Sequence, residues 1–222
     1  MKQPDIKALD PHARQLLALA RKAGHPALQA LTPEKARAAY AASWEPMQSP
    51  GGEVASVQNI NMDGPGGALA LRVYRGKSVG PRALVPCMLY LHGGGWVIGN
   101  LESHDRLCRR LANVANLCVV AVDYRLAPEH PFPAALDDCV SIYRNILSMH
   151  DAKDVIVHGM SAGGNLAAAL MLRIKDEGLP RPAGLVLETP ELDLTESGDT
   201  FQTNAIIDSV LQRTLKPISE LY

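Results

Sequence analysis

A serine between two glycines is the first feature of this sequence that could do chemistry. Residues 159–163 read GMSAG, and they join an apolar run at 154–158 to a run of small residues that begins at Ala162. In a strand–turn–helix setting, this G-x-S-x-G pattern makes a turn so sharp that side chains two residues either side of the serine would clash. Gly159 and Gly163 remove that clash, so we predict that Ser161 Oγ projects at the carboxyl end of a strand as a nucleophile. The pattern by itself arises by chance in roughly one chain in ten of this length.

Three consecutive glycines follow another apolar run. Residues 92–96 read HGGGW, directly after VPCMLYL at 85–91. Uncovered backbone N–H groups in such a loop can stabilise a carbonyl oxygen that becomes an oxyanion during acyl transfer. A flexible glycine turn explains the motif equally well when it stands alone. Both motifs follow apolar strands in the order that acyl transfer requires, and the 69 residues from His92 to Ser161 (161 − 92) leave room for a helix, a strand and a helix.

The segments around these motifs alternate between strand and helix patterns. Strand patterns lie at 54–62, 68–75, 85–91, 117–122, 154–158 and 183–188, and the first two flank a predicted hairpin turn at 63–67. Helix patterns lie at 11–24, 32–44, 103–116 with Ser103 as N-cap, 132–149 and 162–177, with weak helical character at 207–215. Alternation of this kind predicts an α/β fold with a mainly parallel sheet that is covered by helices on both faces.

Composition excludes several functional classes. The 222 residues are 47% hydrophobic and 20% charged, which is typical of a globular domain. The net charge is −1 (22 − 23), so the basic surface of a nucleic-acid binder is not expected. Aromatic residues make up 5% of the chain, which also argues against a platform for stacking bases.

The cysteines and the N-terminus favour a cytoplasmic protein. Cys87, Cys108, Cys118 and Cys139 form no CxxC pair and lie in apolar or helical segments, so reduced, buried thiols are favoured over disulfides or a metal site. The first ten residues lack the apolar stretch of a signal peptide, and no apolar run is long enough for a membrane span. We therefore expect a soluble cytoplasmic protein with neither metal nor cofactor.

Three motifs together resemble a known family. HGGGW at 92–96, DYRLAPEHPFPAALDD at 123–138 and GMSAGGN at 159–165 are similar to the hormone-sensitive-lipase-like branch of the α/β-hydrolases, which comprises bacterial-type esterases and lipases. The resemblance covers roughly residues 40–195. It implies the α/β-hydrolase fold and hydrolysis of small to medium acyl esters.

The resemblance also implies roles for individual residues and segments. Ser161 matches the nucleophile, and Gly94, Gly95 and Ala162 match the N–H donors of the oxyanion hole. His92 matches a residue that braces the glycine loop, and Trp96 matches a residue that lines the acyl pocket. The implied segments are an N-terminal helical cap at 1–47, a hydrolase core at 48–197 and a second cap segment at 198–222.

This sequence has no histidine at the position where the general base of such a site is expected. In this fold the catalytic serine precedes the acid, and the acid precedes the histidine. All seven histidines precede Ser161: His12, His25, His92, His104, His130, His150 and His158. We therefore expect the acid, the histidine and the last strands to be absent from this chain. The strand at 183–188 would then be an exposed edge, open to a second copy or to a complementing C-terminal segment.

Other interpretations remain open. His158, His104 or His130 could replace the missing base, although we favour none of them. A ligand-binding protein without catalysis is a second possibility, because the resemblance family includes plant gibberellin receptors that lack the catalytic histidine. An inactive fragment is a third. Asp123, Glu129, His130 and Asp137 could suggest a metal site, but the prolines among them favour a fixed loop that leads into a helix.

Overall fold

Six strands form one mixed sheet in the part of the chain that the computed structural model describes, residues 9–23, 28, 31–44, 49–80, 83–195 and 197–198. The strands are β1 (Ser56–Gly64), β2 (Gly67–Arg75), β3 (Cys87–Leu91), β4 (Cys118–Val122), β5 (Val155–Met160) and β6 (Gly184–Glu188). Their order across the sheet is β1-β2-β4-β3-β5-β6. The β1–β2 and β2–β4 pairs are antiparallel and the other three pairs are parallel. The predicted hairpin and the mainly parallel sheet are therefore confirmed.

Helices cover both faces of this sheet. The described helices are α1 (Pro11–Ala23), α2 (Pro33–Trp44), α3 (Asp105–Ala115), α4 (Ala134–Leu147) and α5 (Ala162–Asp176). α3 packs on one face, where Cys108 and Ala112 join the apolar cluster of Tyr90 and Val119. α4 and α5 pack on the other face, together with Ala36 of α2. Because both faces are covered, every residue of β3 and β4 is buried, which explains their uninterrupted apolar sequences.

The start of α3 differs from the predicted start. Ser103 does not cap this helix, whose N-cap residue is His104. The Ser103 hydroxyl instead accepts a hydrogen bond from Asn100 N–H (2.9 Å), and Ser103 N–H donates to the side-chain oxygen of Asn100 (2.8 Å). The serine therefore closes the turn that precedes the helix. A serine hydroxyl near a helix start can either cap the helix or stabilise a turn in this way.

The outermost strand of the described sheet is β6, where an exposed edge was expected. Leu185 and Val186 are 38% and 43% exposed, in contrast to the buried residues of β3 and β4. What pairs with this edge stays a prediction. Nearly all of the predicted second cap segment, 198–222, lies outside the described residues. Within the described part of the chain, no helix has the length and apolarity that crossing a membrane would need.

Candidate active site

Ser161 occupies the turn between β5 and α5. Its backbone has φ 54° and ψ −120°, a left-handed conformation that costs a residue with a side chain about 1–3 kcal/mol. Hydrogen bonds hold it there: Ser161 N–H donates to the carbonyl oxygen of Glu188 (2.9 Å), and the Ser161 carbonyl accepts from Asn165 N–H (3.1 Å). The strand–turn–helix junction is the one that the sequence predicts. The role of the serine as a nucleophile stays a prediction.

The two glycines of the serine motif are needed because backbone atoms lie against them. A Cβ at Gly159 would overlap the carbonyl group of Gly163, and a Cβ at Gly163 would overlap the carbonyl oxygens of Leu91 and His92. The first contact closes the turn. The second lets the start of α5 approach the end of β3, which brings the serine close to the glycine loop.

The glycine loop at 92–96 lies beside the serine turn because β3 and β5 are neighbouring parallel strands. Their register pairs Leu91 with Gly159, so both motifs leave the sheet at the same edge. The approach is close: a Cβ at Gly93 would lie 3.0 Å from the Met160 carbonyl oxygen and 3.3 Å from Ser161 Cβ. The structure therefore brings together two motifs that are far apart in sequence.

The predicted oxyanion donors are the N–H groups of Gly94, Gly95 and Ala162. Gly94 and Gly95 adopt φ values of 132° and 56°, in a turn that Ile98 N–H closes by donating to the Gly94 carbonyl (2.9 Å). Ala162 begins α5, and the first N–H groups of a helix have no acceptor within the helix. Among the described residues, no acceptor is found for these three N–H groups. N–H groups without an acceptor can donate hydrogen bonds to an anion. The role of these three in catalysis stays a prediction.

His92 is buried beneath the glycine loop, where it contacts the backbone. Its Nδ1 lies 2.9 Å from the Gly93 carbonyl oxygen, and its ring stacks on Tyr124 with centroids 4.2 Å apart. The Tyr124 hydroxyl donates to the His92 carbonyl oxygen (2.7 Å). Burial lowers the pKa of His92 to about 4, so the ring is neutral at pH 7. This geometry suits the bracing role that the resemblance implies. Sequence reasoning had assigned no role to Tyr124, and its place directly after β4, at the carboxyl edge of the sheet, was the only available signal.

His92 and Tyr124 belong to a buried aromatic cluster. The other members are Tyr90, His104 and His158, and ring centroids lie 5.5 Å apart for His92–His104, 6.0 Å for Tyr90–His104 and 5.3 Å for Tyr90–His158. Burial is the main cause of a lowered pKa at both additional histidines, to about 3 for His104. At His158 the Glu188 carboxylate, 3.4 Å from Nε2, opposes that effect.

The structure pairs no described histidine with the serine. Six of the seven histidines belong to the described residues, and His25 lies outside them. The rings of His104 and His158 point into the buried cluster, and His130 lies in an exposed loop. No ring nitrogen among these six forms a hydrogen bond with Ser161 Oγ. A base for the serine is therefore not found in the described part of the chain.

Trp96 lies in the interior. It is completely buried in the main apolar cluster and adopts φ 61°, which is unusual for a bulky residue. Its carbonyl oxygen accepts a hydrogen bond from Ala127 N–H (2.9 Å), which ties the glycine loop to the loop after β4. That Trp96 lines an acyl pocket stays a prediction.

Arg37 connects α2 to the loops of the site. Its guanidinium donates to the carbonyl oxygens of Val97 (2.8 Å) and Ala127 (3.1 Å), and it forms a two-pronged ion pair with Glu129 (2.9 and 2.7 Å). The arginine lowers the pKa of Glu129 to about 2. Sequence reasoning missed this contact, because it joins residues about 90 positions apart and no local pattern signals it.

A cavity of about 440 Å³ lies between α2 and the loops that follow β3 and β4. Tyr40, Asn100, Asp123 and Tyr124 are among its lining residues, whereas Ser161 is not. Burial raises the pKa of Asp123 above its ordinary value. The cavity therefore lies next to Tyr124, which packs on His92 beneath the glycine loop, on the side where a helical cap was predicted.

The acidic residues of 123–138 do not converge. Glu129 pairs with Arg37, Asp137 with Arg173 (3.1 Å) and Asp138 with Arg125 (2.8 Å). In the described residues, no group of three histidine, cysteine, aspartate or glutamate side chains is placed to hold a metal ion. The segment forms a fixed loop and the start of α4.

Known proteins resemble this chain in both sequence and structure. Residues 88–219 match the family described as the alpha/beta hydrolase fold. The chain is 42% identical over 129 residues to Esterase LipI of Mycobacterium tuberculosis, a match that covers 56% of this chain and 40% of that protein. It is 38% identical over 139 residues to an esterase of Acinetobacter venetianus, covering 62% of this chain and 46% of the relative. The chain thus spans less than half the length of these curated relatives.

Among solved structures, an alpha/beta hydrolase enzyme named LAE6, from the metagenome of Lake Arreo in Spain, superposes with a TM-score of 0.90 at 36% identity. That match covers 96% of this chain and 70% of the other. The residues that match the family include both the glycine loop and the serine turn. The chain therefore belongs to the hormone-sensitive-lipase-like branch of the α/β-hydrolase superfamily.

Proposed function

We propose that this protein hydrolyses carboxylic esters of small to medium acyl chains through an acyl-enzyme on Ser161. The observation that carries the proposal is the contact between the glycine loop and the serine turn, in which Gly93 packs against Ser161 and Met160. This contact supports the proposal because the loop that carries Gly94 and Gly95 packs against the turn that carries Ser161. The relatives named esterases support the choice of an ester as substrate.

In the proposed reaction, Ser161 Oγ attacks the ester carbonyl carbon. The N–H groups of Gly94, Gly95 and Ala162 bind the oxyanion that forms, and the start of α5 adds the favourable end of its dipole. Collapse of the tetrahedral intermediate releases the alcohol and leaves the acyl group on the serine. Water then attacks the acyl-serine, and the carboxylic acid leaves.

A histidine must accept the Ser161 proton and later return it to the alcohol. The proposal assigns this histidine and its acid to polypeptide outside this sequence. Two observations support the assignment. No histidine follows Ser161 in the chain, and Ser161 Oγ has no hydrogen bond to a described histidine. The proposal gives His92 a structural role, because its Nδ1 contacts the Gly93 carbonyl oxygen and its own carbonyl oxygen accepts a hydrogen bond from Tyr124.

A fluorophosphonate probe tests the nucleophile. The product of the complete reading frame that contains these residues should be labelled on Ser161 and should hydrolyse p-nitrophenyl acetate and hexanoate faster than the dodecanoate. Ser161→Ala should lose both labelling and hydrolysis. The matched control is Ser148→Ala, because that serine is exposed at the end of α4 and bonds only its own turn. A wild-type protein that folds but stays unlabelled would overturn the proposal and favour a ligand-binding protein without catalysis.

A further inference from the structure

Two of the four buried cysteines face each other at the end of the sheet remote from Ser161. Cys87 and Cys118 are the first residues of β3 and β4, and they are register partners in this parallel pair. Register partners of neighbouring parallel strands carry their side chains on the same face. Neighbouring strands of a sheet lie about 4.8 Å apart, which falls within the range of about 4.4–6.8 Å between Cα atoms that a disulfide spans. Both cysteines are buried free thiols in this structure.

A positive charge adjoins this pair. Arg75 is the register partner of Cys118 on the other side, in the antiparallel β2–β4 pair. A row of three side chains, Arg75, Cys118 and Cys87, thus crosses one face of the sheet. The neighbouring Cys87 thiol and the Arg75 guanidinium both lower the pKa of Cys118, whereas the pKa of Cys87 is raised. Cys118 is therefore the thiol that ionises first, and a thiolate beside a cation is the reactive form of cysteine.

The other two cysteines lack these features. Cys108 on α3 and Cys139 on α4 are completely buried, as Cys87 is, and burial raises the pKa of both thiols, whereas the pKa of Cys118 is lowered. Neither lies in a strand. They provide internal controls, since all four cysteines share the same chain and the same solvent conditions.

We propose that Cys87 and Cys118 are a modification site, at which a hydroperoxide forms a reversible disulfide between β3 and β4. The Cys118 thiolate attacks one peroxide oxygen and becomes a sulfenic acid, while the other oxygen leaves and is protonated to water, or to an alcohol if the peroxide is organic. The Cys87 sulfur then attacks the sulfenic sulfur, the S–S bond forms and a second water leaves. With hydrogen peroxide, two thiols and one peroxide give one disulfide and two waters, and a dithiol reductant reverses the change.

The bond would link the two central strands whose opposite ends carry the glycine loop and the loop of Tyr124. β3 and β4 leave the sheet toward Ser161 at Leu91 and Val122. A covalent link at their first residues leaves the candidate active site itself unmodified. The disulfide is therefore expected to raise the melting temperature and to leave Ser161 open to its probe.

Peptide mapping tests the proposal without a variant. Trypsin cleaves after arginine and therefore places the four cysteines on four different peptides. These are residues 83–106, 107–109, 111–125 and 126–144, which contain Cys87, Cys108, Cys118 and Cys139, respectively. The folded protein is treated with hydrogen peroxide, its remaining thiols are alkylated and the protein is digested. The 83–106 and 111–125 peptides should then appear as one cross-linked species, whose mass is the sum of the two unalkylated peptides less two hydrogen atoms. Dithiothreitol should restore both peptides.

Variants make the assignment specific. Cys118→Ser and Cys87→Ser should each abolish the cross-link, whereas Cys108→Ser and Cys139→Ser should retain it. Arg75→Gln should slow its formation relative to Arg75→Lys, which keeps the charge. Oxidation of Cys118 to sulfinic or sulfonic acid without a cross-link, a bond between two chains, or a cross-link to Cys108 or Cys139 would overturn the proposal.

Discussion

A single carbon atom separates glycine from alanine, and the serine turn has no room for that atom at either of its glycines. At Gly163 the obstacle is the backbone of another element, since the carbonyl oxygens of Leu91 and His92 lie where a Cβ would be. Backbone cannot move aside as the tip of a flexible side chain can. The distance between α5 and β3 is therefore set by the absence of a side chain, and the position of Ser161 depends on that distance.

Gly163→Ala should consequently destabilise the protein by about 3 kcal/mol, because overpacking against backbone forces the helix away from the strand. Urea denaturation followed by circular dichroism measures the change. The matched control is Gly184→Ala, where a Cβ would meet no atom within 4 Å and φ is unexceptional. Its effect should stay within about 0.5 kcal/mol. Equal stability of the two variants would contradict the role assigned to the close approach.

Helix α2 shows how an element is held by one long side chain. The helix packs Ala36 and the half-buried Tyr40 against the main apolar cluster, and Arg37 bonds two loop carbonyls and the Glu129 carboxylate. A lysine cannot reproduce this pattern, since the fork of the guanidinium supplies its donors in fixed directions. We therefore expect the position of α2 over the loops to depend on this polar contact as well as on packing.

Arg37→Ala should loosen α2 from the loops while the sheet stays intact. Limited digestion with chymotrypsin measures this at Tyr40, a half-buried residue of the same helix that faces the cavity. Cleavage there should become faster in Arg37→Ala. It should be unchanged in Lys35→Ala, which removes an exposed cation two residues before Arg37 on the same helix. Unaltered cleavage in both variants would mean that packing alone holds α2.

The helices and strands were predictable from the sequence because each has a clear local pattern. Continuous apolar runs predicted β3 and β4, and Pro11 and Pro33 marked the starts of α1 and α2. The turn at Ser103 was less predictable, since a serine before a helix can cap it or close a preceding turn, and Asn100 decides between the two.

The site was predictable only in part. Gly159 is needed for a local reason, since a Cβ there would overlap the carbonyl group of Gly163, whereas Gly163 is needed because the backbone at Leu91 and His92 lies against it. The Arg37 contacts, the stacking of Tyr124 on His92 and the pairing of Cys87 with Cys118 depend on the register and order of distant strands. No spacing along the chain reports these contacts. The left-handed backbone of Trp96 likewise follows from the closure of the loop.

For the molecule as a whole, buried histidines link stability to pH. The folded state keeps His92 and His104 neutral, with pKa values lowered by burial to about 4 and about 3. In the unfolded chain both rings take up protons near the ordinary pKa of about 6.5. Below that pH the unfolded state binds more protons than the folded state, so the free energy of unfolding falls as the pH falls.

This free energy should therefore be highest above about pH 6.5 and should decrease between about pH 6 and 4, by about 1.4 kcal/mol per pH unit for each histidine. Urea denaturation at a series of pH values measures the slope. His104→Gln should reduce the slope by the contribution of one histidine, about 1.4 kcal/mol per pH unit. His12→Gln is the control, because the His12 side chain is 91% exposed and its removal should leave the slope unchanged. A slope that is identical in all three proteins would contradict the assignment.

The hydrogen bond from Ser161 N–H to Glu188 ties the candidate nucleophile to the outermost strand of the described sheet. The end strand of a sheet opens in local fluctuations more readily than the central strands do. The amide proton of Ser161 should then exchange with solvent deuterium at a rate set by the opening of β6, although the serine follows the buried strand β5. A segment that pairs with β6 would slow this exchange and would steady the serine through its backbone, without touching its hydroxyl.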